Sequence, residues 1–410
     1  MNLKQMDYET MVNPDKRLEL YRATEFVISR ILDKDAAWIT SRDDRVQLVR
    51  EILNEALGLG PIEYLLADDS VSEIMVNGAR RVFVERKGQI ELTPFYFTDE
   101  PQLRRVIERI VVRVGRRIDE KSPMVDARLP DGSRVNAIIP PLAIGGSALT
   151  IRKFSKFPLT SETLLKLGSL NLQMSKFLQA CVVARKNTII SGGSGSGKTT
   201  LLNILSGTIP PNERIITIED SAELQLPQVN VVRLETRPAN VEGEGTVSIR
   251  DLVRNALRMR PDRIVVGECR GAESMDMLQA MNTGHDGSLT TVHANSPGDA
   301  LSRLETMCLM AGLDLPARAI RKQIASAVQI IVQQTRLSDG SRKITQVTEV
   351  CGMEGEVTTM QDIFRFRQDR VLRDGPVEGQ FEATGNIPTF LDLLRPKGIE
   401  LPREVFLRQR

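Results

Sequence analysis

The sequence predicts an α/β protein with a mostly parallel sheet, preceded by an α+β segment and an N-terminal helical bundle. Three observations carry this. Short β-rich runs (NTIIS, RIITIED, VNVVRLE, DRIVVGE, SLTTVHA) alternate with helical patterns over the C-terminal half, the signature of a parallel sheet covered by helices. A glycine-rich loop, SGGSGSGKTT, stands between one of these strands and a helix. Upstream, around residue 61, the pattern changes to strand-like runs with hairpin signals.

Length and composition set the frame. At 410 residues the chain exceeds one ordinary domain, and 41% hydrophobic with 26% charged residues is a globular composition. Fifty-five basic residues nearly balance 53 acidic ones, and aromatics are 4%, which argues against a nucleic-acid partner held by a broad positive field or by base stacking. No apolar run approaches the ~18–20 residues of a membrane span, and the first residues, MNLKQMDYETMVNPDKR, have no apolar core of the signal-peptide kind. Four scattered cysteines without a C-x-x-C pair suggest a reducing compartment and no zinc site. The expectation is a soluble, cytoplasmic chain.

In chain order, residues 1–60 read as a helical bundle. Leu18, Tyr21, Val27, Ile28, Ile31 and Leu32 recur at helical intervals, as do Val46, Val49, Ile52, Leu53, Ala56 and Leu57, before a stop at Gly58-Leu59-Gly60-Pro61. Residues 61–152 read as an α+β domain. SEIMVNG and RRVFVER join through Asn77-Gly78, a helix runs from about Pro101 to Val114, DARLPDGSRVNAII turns at Asp131-Gly132, and ALTIRKF closes the segment. Residues 153–163 lose periodicity and are expected to be a linker, leaving 164–410 as the nucleotide-binding domain with a C-terminal extension. In that extension SRKITQVTEV and GEVTTMQDIFRF read as a strand pair with Gly352 to Gly355 between them.

The glycine-rich loop carries the chemistry. From Gly192 to Thr199 it matches G-x-x-x-x-G-K-T after an apolar strand and before a helix. Small residues at Gly192, Gly193, Ser194, Gly195, Ser196 and Gly197 let successive backbone N–H groups point at phosphate oxygens, and the helix beginning near Thr200 adds its N-terminal field. Lys198 would reach the β- and γ-phosphates and the Thr199 hydroxyl a magnesium ion, so ATP and Mg2+ are the expected ligands.

Two strands end in acids, where a parallel sheet binds its ligand. Glu268 ends DRIVVGE and is expected to organise the metal, through water more readily than by direct ligation. Glu219 and Asp220 end RIITIED. Alternation sends neighbours to opposite faces, so Glu219 is taken as the residue that polarises the attacking water and Asp220 as a cap on the next turn. Both histidines, His285 and His293, fall in TGHDGSLTTVHAN without zinc spacing. They read as γ-phosphate sensors or as structural groups in a hydrogen-bonded turn. Arg128, Arg134 and Arg152, at hairpin and strand ends, and Arg270, next to Glu268, are candidate nucleotide contacts, against the plainer reading of solvated cations. The helical stripe Arg105, Arg109, Arg113 and Arg116 reads as a solvated face or a subunit contact, with nucleic acid a lesser reading.

Taken together, GGSGSGKT, RIITIEDSAEL, RPDRIVVGECRG and TGHDGSLTTVHANSPGDALSRLE resemble the ATPase superfamily that powers type II and type IV secretion and type IV pili. GLGPIEYLLADDSVSEIMVNG, RIDEKSPMVDARLPDGSRVNAIIPPLA and SIRDLVRNALRMRPDRIVVGECRG are similar to its CpaF-type branch, which serves the Tad (tight-adherence, Flp) pilus. That resemblance implies a homo-hexameric ring with a RecA-like motor domain joined by a flexible linker to an α+β domain, acting on an inner-membrane platform. It implies Glu219 as catalytic base in an aspartate box, Glu268 in the Walker B strand, His285 and His293 as a histidine box, and Arg134, Arg152 and less securely Arg128 as arginines closing over the phosphates. A VirB-type export ATPase is the alternative, and a nucleotide-gated scaffold that hydrolyses negligibly a further one. The zinc-binding tetracysteine insertion of type II relatives is absent from the sequence.

Overall fold

The computed structural model describes residues 14–408 apart from 37, 40, 87, 155–158, 238, 240–243, 313, 372–374 and 376. The chain divides into two compact units between Lys156 and Phe157. This division falls inside the expected linker, of which residues 155–158 lie outside the described residues.

The first unit begins with helices α1 (Pro14–Asp35) and α2 (Arg42–Ala56), packed through Leu20, Ile28, Leu32, Leu53 and Leu57. Ser41 caps α2 by accepting from Asp44 N–H. The expected domain boundary at residue 60 lies within this unit. A short helix α3 (Glu63–Ala67) leads into strands β1 (Val71–Asn77), β2 (Val82–Arg86) and β3 (Gln89–Leu92). Helix α4 (Glu100–Arg113) follows, capped by Asp99 with proline in its first turn, then β4 (Met124–Arg128), β5 (Arg134–Ile138) and β6 (Ala148–Arg152). The six strands form one antiparallel sheet in the order β3-β2-β1-β6-β5-β4. Ile74, Val76, Val84, Val135, Leu149 and Ile151 point to one face and meet Leu103, Val106, Ile107 and Ile110 of α4. Alternation sends their neighbours to the other face.

The arginine stripe on α4 has an internal use. Arg109 donates to the carbonyls of Glu55 and Ala56 at 2.9 Å, and Arg113 to that of Leu57 at 3.2 Å. These are among the last carbonyls of α2, which lack partners within their own helix. Cations at a helix C-terminus also meet the negative end of its dipole. Arg109 and Arg113 therefore bind α2 to the sheet domain.

The second unit opens with α5 (Ser161–Lys166), capped by Thr160, and α6 (Leu172–Val183), capped by Asn171. Then come β7 (Thr188–Gly192), α7 (Lys198–Ser206), β8 (Ile215–Glu219), β9 (Val231–Glu235), α8 (Ile249–Ala256), β10 (Arg263–Val266) and α9 (Glu273–Asn282). They are followed by β11 (Leu289–His293), α10 (Pro297–Leu309), α11 (Ala317–Ala327), β12 (Ile330–Arg336), β13 (Arg342–Glu354), β14 (Val357–Val371) and β15 (Val377–Ala383). The nine-stranded sheet runs β15-β14-β13-β12-β7-β11-β10-β8-β9. From β12 to β9 neighbours are parallel; from β12 to β15 they are antiparallel. Strands β7, β8, β10 and β11 are buried on both faces: Ile190 joins the cluster containing Leu201, Leu205, Phe177 and Phe406, and Ile189 the cluster containing Val253, Leu278, Leu304 and Ile324.

The C-terminal strand pair differs in its turn. β13 continues through Gly352, where the register slips, to Glu354, so the reversal occupies Gly355 and Glu356 rather than Gly352 to Gly355.

Candidate functional site

β7 delivers the chain to Gly192 at its carboxyl end, and α7 begins at Lys198, with Gly197 at φ 98° as its N-cap residue. Between them only Gly193, Ser194 and Gly195 are exposed; Thr199 and Thr200 are half-buried on the first turn of α7. The carbonyl of Gly193 accepts Lys198 Nζ at 2.9 Å, Ser196 Oγ at 2.9 Å and Ser196 N–H at 3.4 Å. An ammonium, a hydroxyl and a backbone N–H converging on one oxygen, at a helix N-terminus, is the donor set that a phosphate oxygen takes. The residues thus fit a polyphosphate. Lys198 is only 7% exposed, and burial lowers its pKa while Glu268 nearby opposes that shift.

Parallel register sets the next residues. His293 ends β11 opposite Gly192, so its ring stands beside the loop. Its Nε2 lies 3.4 Å from Lys198 Nζ and 3.0 Å from Glu268 Oε1. Glu268 follows β10, and its other oxygen accepts Arg270 at 2.8 Å. Arg270 also stands 3.5 Å from Asp220. Thr291 Oγ1 donates to Gly267 O at 2.8 Å and Cys269 N–H to Thr291 O at 2.9 Å, which fixes the loop bearing Glu268 against β11. Lys198, His293, Glu268, Arg270 and Asp220 form one chain of contacts at the carboxyl ends of the parallel strands, where such sheets place ligands.

Glu219 ends β8 and is 3% exposed. Its carboxylate accepts the N–H groups of Glu223 at 2.9 Å and Leu224 at 3.1 Å, so Glu219 itself makes the cap on the next turn that was expected of Asp220. Asp220 instead reaches Arg270.

His285 is not brought to this cluster. Leu289, the first residue of β11, pairs with Thr188, the first of β7, so His285 lies beyond the amino ends of the strands, opposite to Lys198. Its carbonyl accepts Ser288 Oγ at 2.8 Å, and the turn is tied down by Asn187 Oδ1, which accepts Gly287 and Ser288 N–H. Within this chain His285 is a turn residue, and its expected contact with nucleotide is corrected. A strand lies between two histidines that are close only in sequence.

In the first unit, Arg128 pairs in register with Arg134, and Arg134 with Arg152. The row continues to Glu73 on β1 and Glu85 on β2. Three guanidinium groups thus stand in line across this sheet, with Glu73 beside Arg152. Burial raises the Glu73 pKa, Arg152 lowers it and Glu85 raises it further.

Sequence reasoning passed over β12. Gln334 pairs with Gly192, and Arg342, at the start of β13, donates to Gly195 O at 2.9 Å. The run IIVQQTR, apolar and then amide-rich, was the available signal.

The geometry defines a phosphate-loop nucleotide-binding protein built on an open, mostly parallel α/β sheet. The chain belongs to the Type II/IV secretion system protein family, which matches residues 55–369. A Mycobacterium tuberculosis protein provisionally named for conjugal transfer is 37% identical over 332 residues, 80% of this chain and 93% of that one. VirB11 of the type IV secretion system of Bartonella quintana is 33% identical over 333 residues, 70% of this chain and 91% of that one. Among solved structures, the ATPase DotB of Yersinia pseudotuberculosis superposes with a TM-score of 0.50 at 17% identity, over 70% of this chain and 76% of that chain, a likeness of fold.

Proposed function

We propose that the protein is an ATP-hydrolysing, hexameric motor with a RecA-like second unit, acting at the cytoplasmic face of an inner membrane to drive assembly or retraction of a Tad/Flp pilus through a membrane platform. The observation that carries the ATPase reading is the contact chain Lys198–His293–Glu268–Arg270 beside the phosphate loop. Lys198 and the N–H groups of the loop bind the β- and γ-phosphates. Thr199 and Glu268 would hold Mg2+, which supplies charge neutralisation at the phosphates. His293 lies between the lysine and the acid and reports the state of the terminal phosphate to Glu268. Glu219, fixed by two backbone N–H groups, orients the attacking water. Arg128, Arg134 and Arg152 stabilise charge on the transferring phosphoryl group. No helix of the described residues is long and apolar enough to cross a membrane. Force therefore passes through partner proteins.

Turnover of ATP by the full chain tests this directly. Lys198→Ala and Glu268→Gln are each expected to lower it by roughly 10²-fold or more. Wild-type turnover no faster than both variants would leave the nucleotide-gated scaffold standing instead.

The pilus assignment rests on the motif series from GLGPIEYLL to RPDRIVVGECRG. The type IV secretion reading, with protein or DNA as cargo, is favoured by the names of the relatives from Mycobacterium and Bartonella. Removing the protein from its cell separates the two: loss of surface pili with transfer intact supports the first, and the converse the second.

A further inference from the structure

Strand β12 is apolar through Ile330, Ile331 and Val332 and then turns to amides at Gln333 and Gln334, both of them buried. A buried amide costs stability unless its polar atoms are paired, so an amide in an apolar strand calls for a use. Register places Gln333 beside Ser191 of β7, the residue before the phosphate loop. On the other flank of β7, Val292 stands beside Ser191, one residue before His293. The Gln333 side chain crosses this breadth. Its Oε1 accepts the buried Ser191 hydroxyl, and its Nε2 donates to the carbonyl of Ala294 at 3.3 Å. One amide thus joins β12, β7 and the residue that follows β11.

Register pairing of β11 with β7 ends at His293 and Gly192, and Gln333 adds a bond one residue further on, at Ala294. From the opposite flank, Thr291 is tied to the segment bearing Glu268 by its bonds to Gly267 and Cys269. His293 therefore sits between two tethers, Thr291 two residues before it and Ala294 one after. Its Nε2 stands 3.4 Å from Lys198 Nζ and 3.0 Å from Glu268 Oε1. Hydrogen-bond distances vary by only a few tenths of an ångström, so a strand end free to shift by ~1 Å would lose one or both of these contacts. Gln333 shares its sheet face with Ile331 and Ile189, whereas α7 packs on the other face through Leu201 and Leu202. It reaches the site through backbone and strand, not by contact with the groups around Lys198.

We propose that Gln333 is a positioning residue for ATP hydrolysis: by bridging Ser191 and Ala294 it holds His293 at its distances from Lys198 and Glu268. The inference rests on the ATPase reading of that cluster. Its weight falls on the chemical step. Binding of ADP, which lacks the terminal phosphate, uses the loop and α7 and not the position of His293, so the bridge adds little to it. Hydrolysis needs the lysine, the histidine and the acid in one arrangement, and a displacement of ~1 Å in such an arrangement costs on the order of 10²-fold in rate.

Single-turnover ATP hydrolysis by the full chain, with protein in excess, reads that step, and titration with a fluorescent ADP derivative reads binding. Gln333→Met, close in volume and unable to make either bond, is expected to slow hydrolysis by roughly 10-fold or more and to leave ADP affinity within about 3-fold. Ser191→Ala removes the hydroxyl but leaves Nε2 able to hold Ala294, and should slow hydrolysis by about 3-fold. In a His293→Ala background both losses should shrink to within about 2-fold, because the group being positioned is gone. A residue that merely stabilised the sheet would slow hydrolysis equally in both backgrounds, and that result would overturn the proposal. So would a wild-type rate in Gln333→Met, or a loss of ADP affinity as large as the loss of rate. Thermal denaturation checks that each variant is folded; should Gln333→Met fail to fold, Ser191→Ala decides by the same criteria. A wild-type chain that neither binds ADP nor hydrolyses ATP would overturn the nucleotide reading itself, a separate and recognisable failure.

Discussion

His293 is placed where it can satisfy one neighbour at a time. With the ring protonated on Nδ1, its Nε2 accepts from Lys198 at 3.4 Å, while Glu268 Oε1 stands 3.0 Å from the same nitrogen without a hydrogen-bond partner. A change of partner at Lys198, such as a phosphate drawing the ammonium away, is thereby felt at Glu268. The electrostatics favour the neutral ring: burial lowers the His293 pKa, the Lys198 charge lowers it further, and Glu268 opposes them. Proton NMR of the folded chain should give His293 an apparent pKa below the ordinary ~6.5. With two histidines in the chain, His285→Gln assigns the signals. A value at or above the ordinary one would contradict the arrangement. The sign for stability follows. The unfolded chain takes up this proton at higher pH than the folded site does, so stability from neutral His293 is complete above ~6.5 and declines as the pH falls below it.

At the scale of elements, the phosphate loop is shaped by the strand behind it as much as by a ligand in front. Gly192→Ala would drive a methyl group into the backbone of β12, whereas a Cβ at Gly193 meets nothing within 4 Å. Thermal denaturation should register the first at about 2–4 kcal/mol and the second at less than about 1 kcal/mol. Equal effects would mean the loop can move away from β12. Arg109→Ala, by the same measurement, should cost about 0.5–1.5 kcal/mol, because it removes the donor shared by two carbonyls at the end of α2, one exposed and one half-buried. These contacts also mark what the sequence could and could not reveal. Hairpins at Asn77-Gly78 and Asp131-Gly132 and the loop at 192–199 are written in local turn chemistry, and the structure has them all. β12 was missed because it follows α11 with scarcely a break, so the apolar run of the helix continues into that of the strand. The stripe on α4 looked like solvated charge because its acceptors lie some fifty residues earlier in the chain. That Glu219, and not Asp220, accepts from the turn that follows was hidden because alternation says that neighbours diverge, without saying which one turns toward that loop.

For the whole molecule, the proposed cycle needs arginines that tell ATP from ADP. The row Arg128–Arg134–Arg152 belongs to the first unit. If the row contacts the γ-phosphate, as proposed, its contribution exists for ATP and vanishes for ADP. Arg134→Ala should therefore weaken binding of a non-hydrolysable ATP analogue by roughly 10-fold or more and leave ADP within about 2-fold. Equal losses at Arg134 would make the row a general anchor. The same logic extends to the ring. When subunits fire in dependence on one another, a Lys198→Ala protomer silences more than itself. An equal mixture of wild-type and Lys198→Ala chains, exchanged to equilibrium, should then turn over ATP at well under half the wild-type rate per total protomer. A strictly linear decline with the fraction of variant would mean that each site works alone, and a hexameric motor with coordinated firing would have to be abandoned.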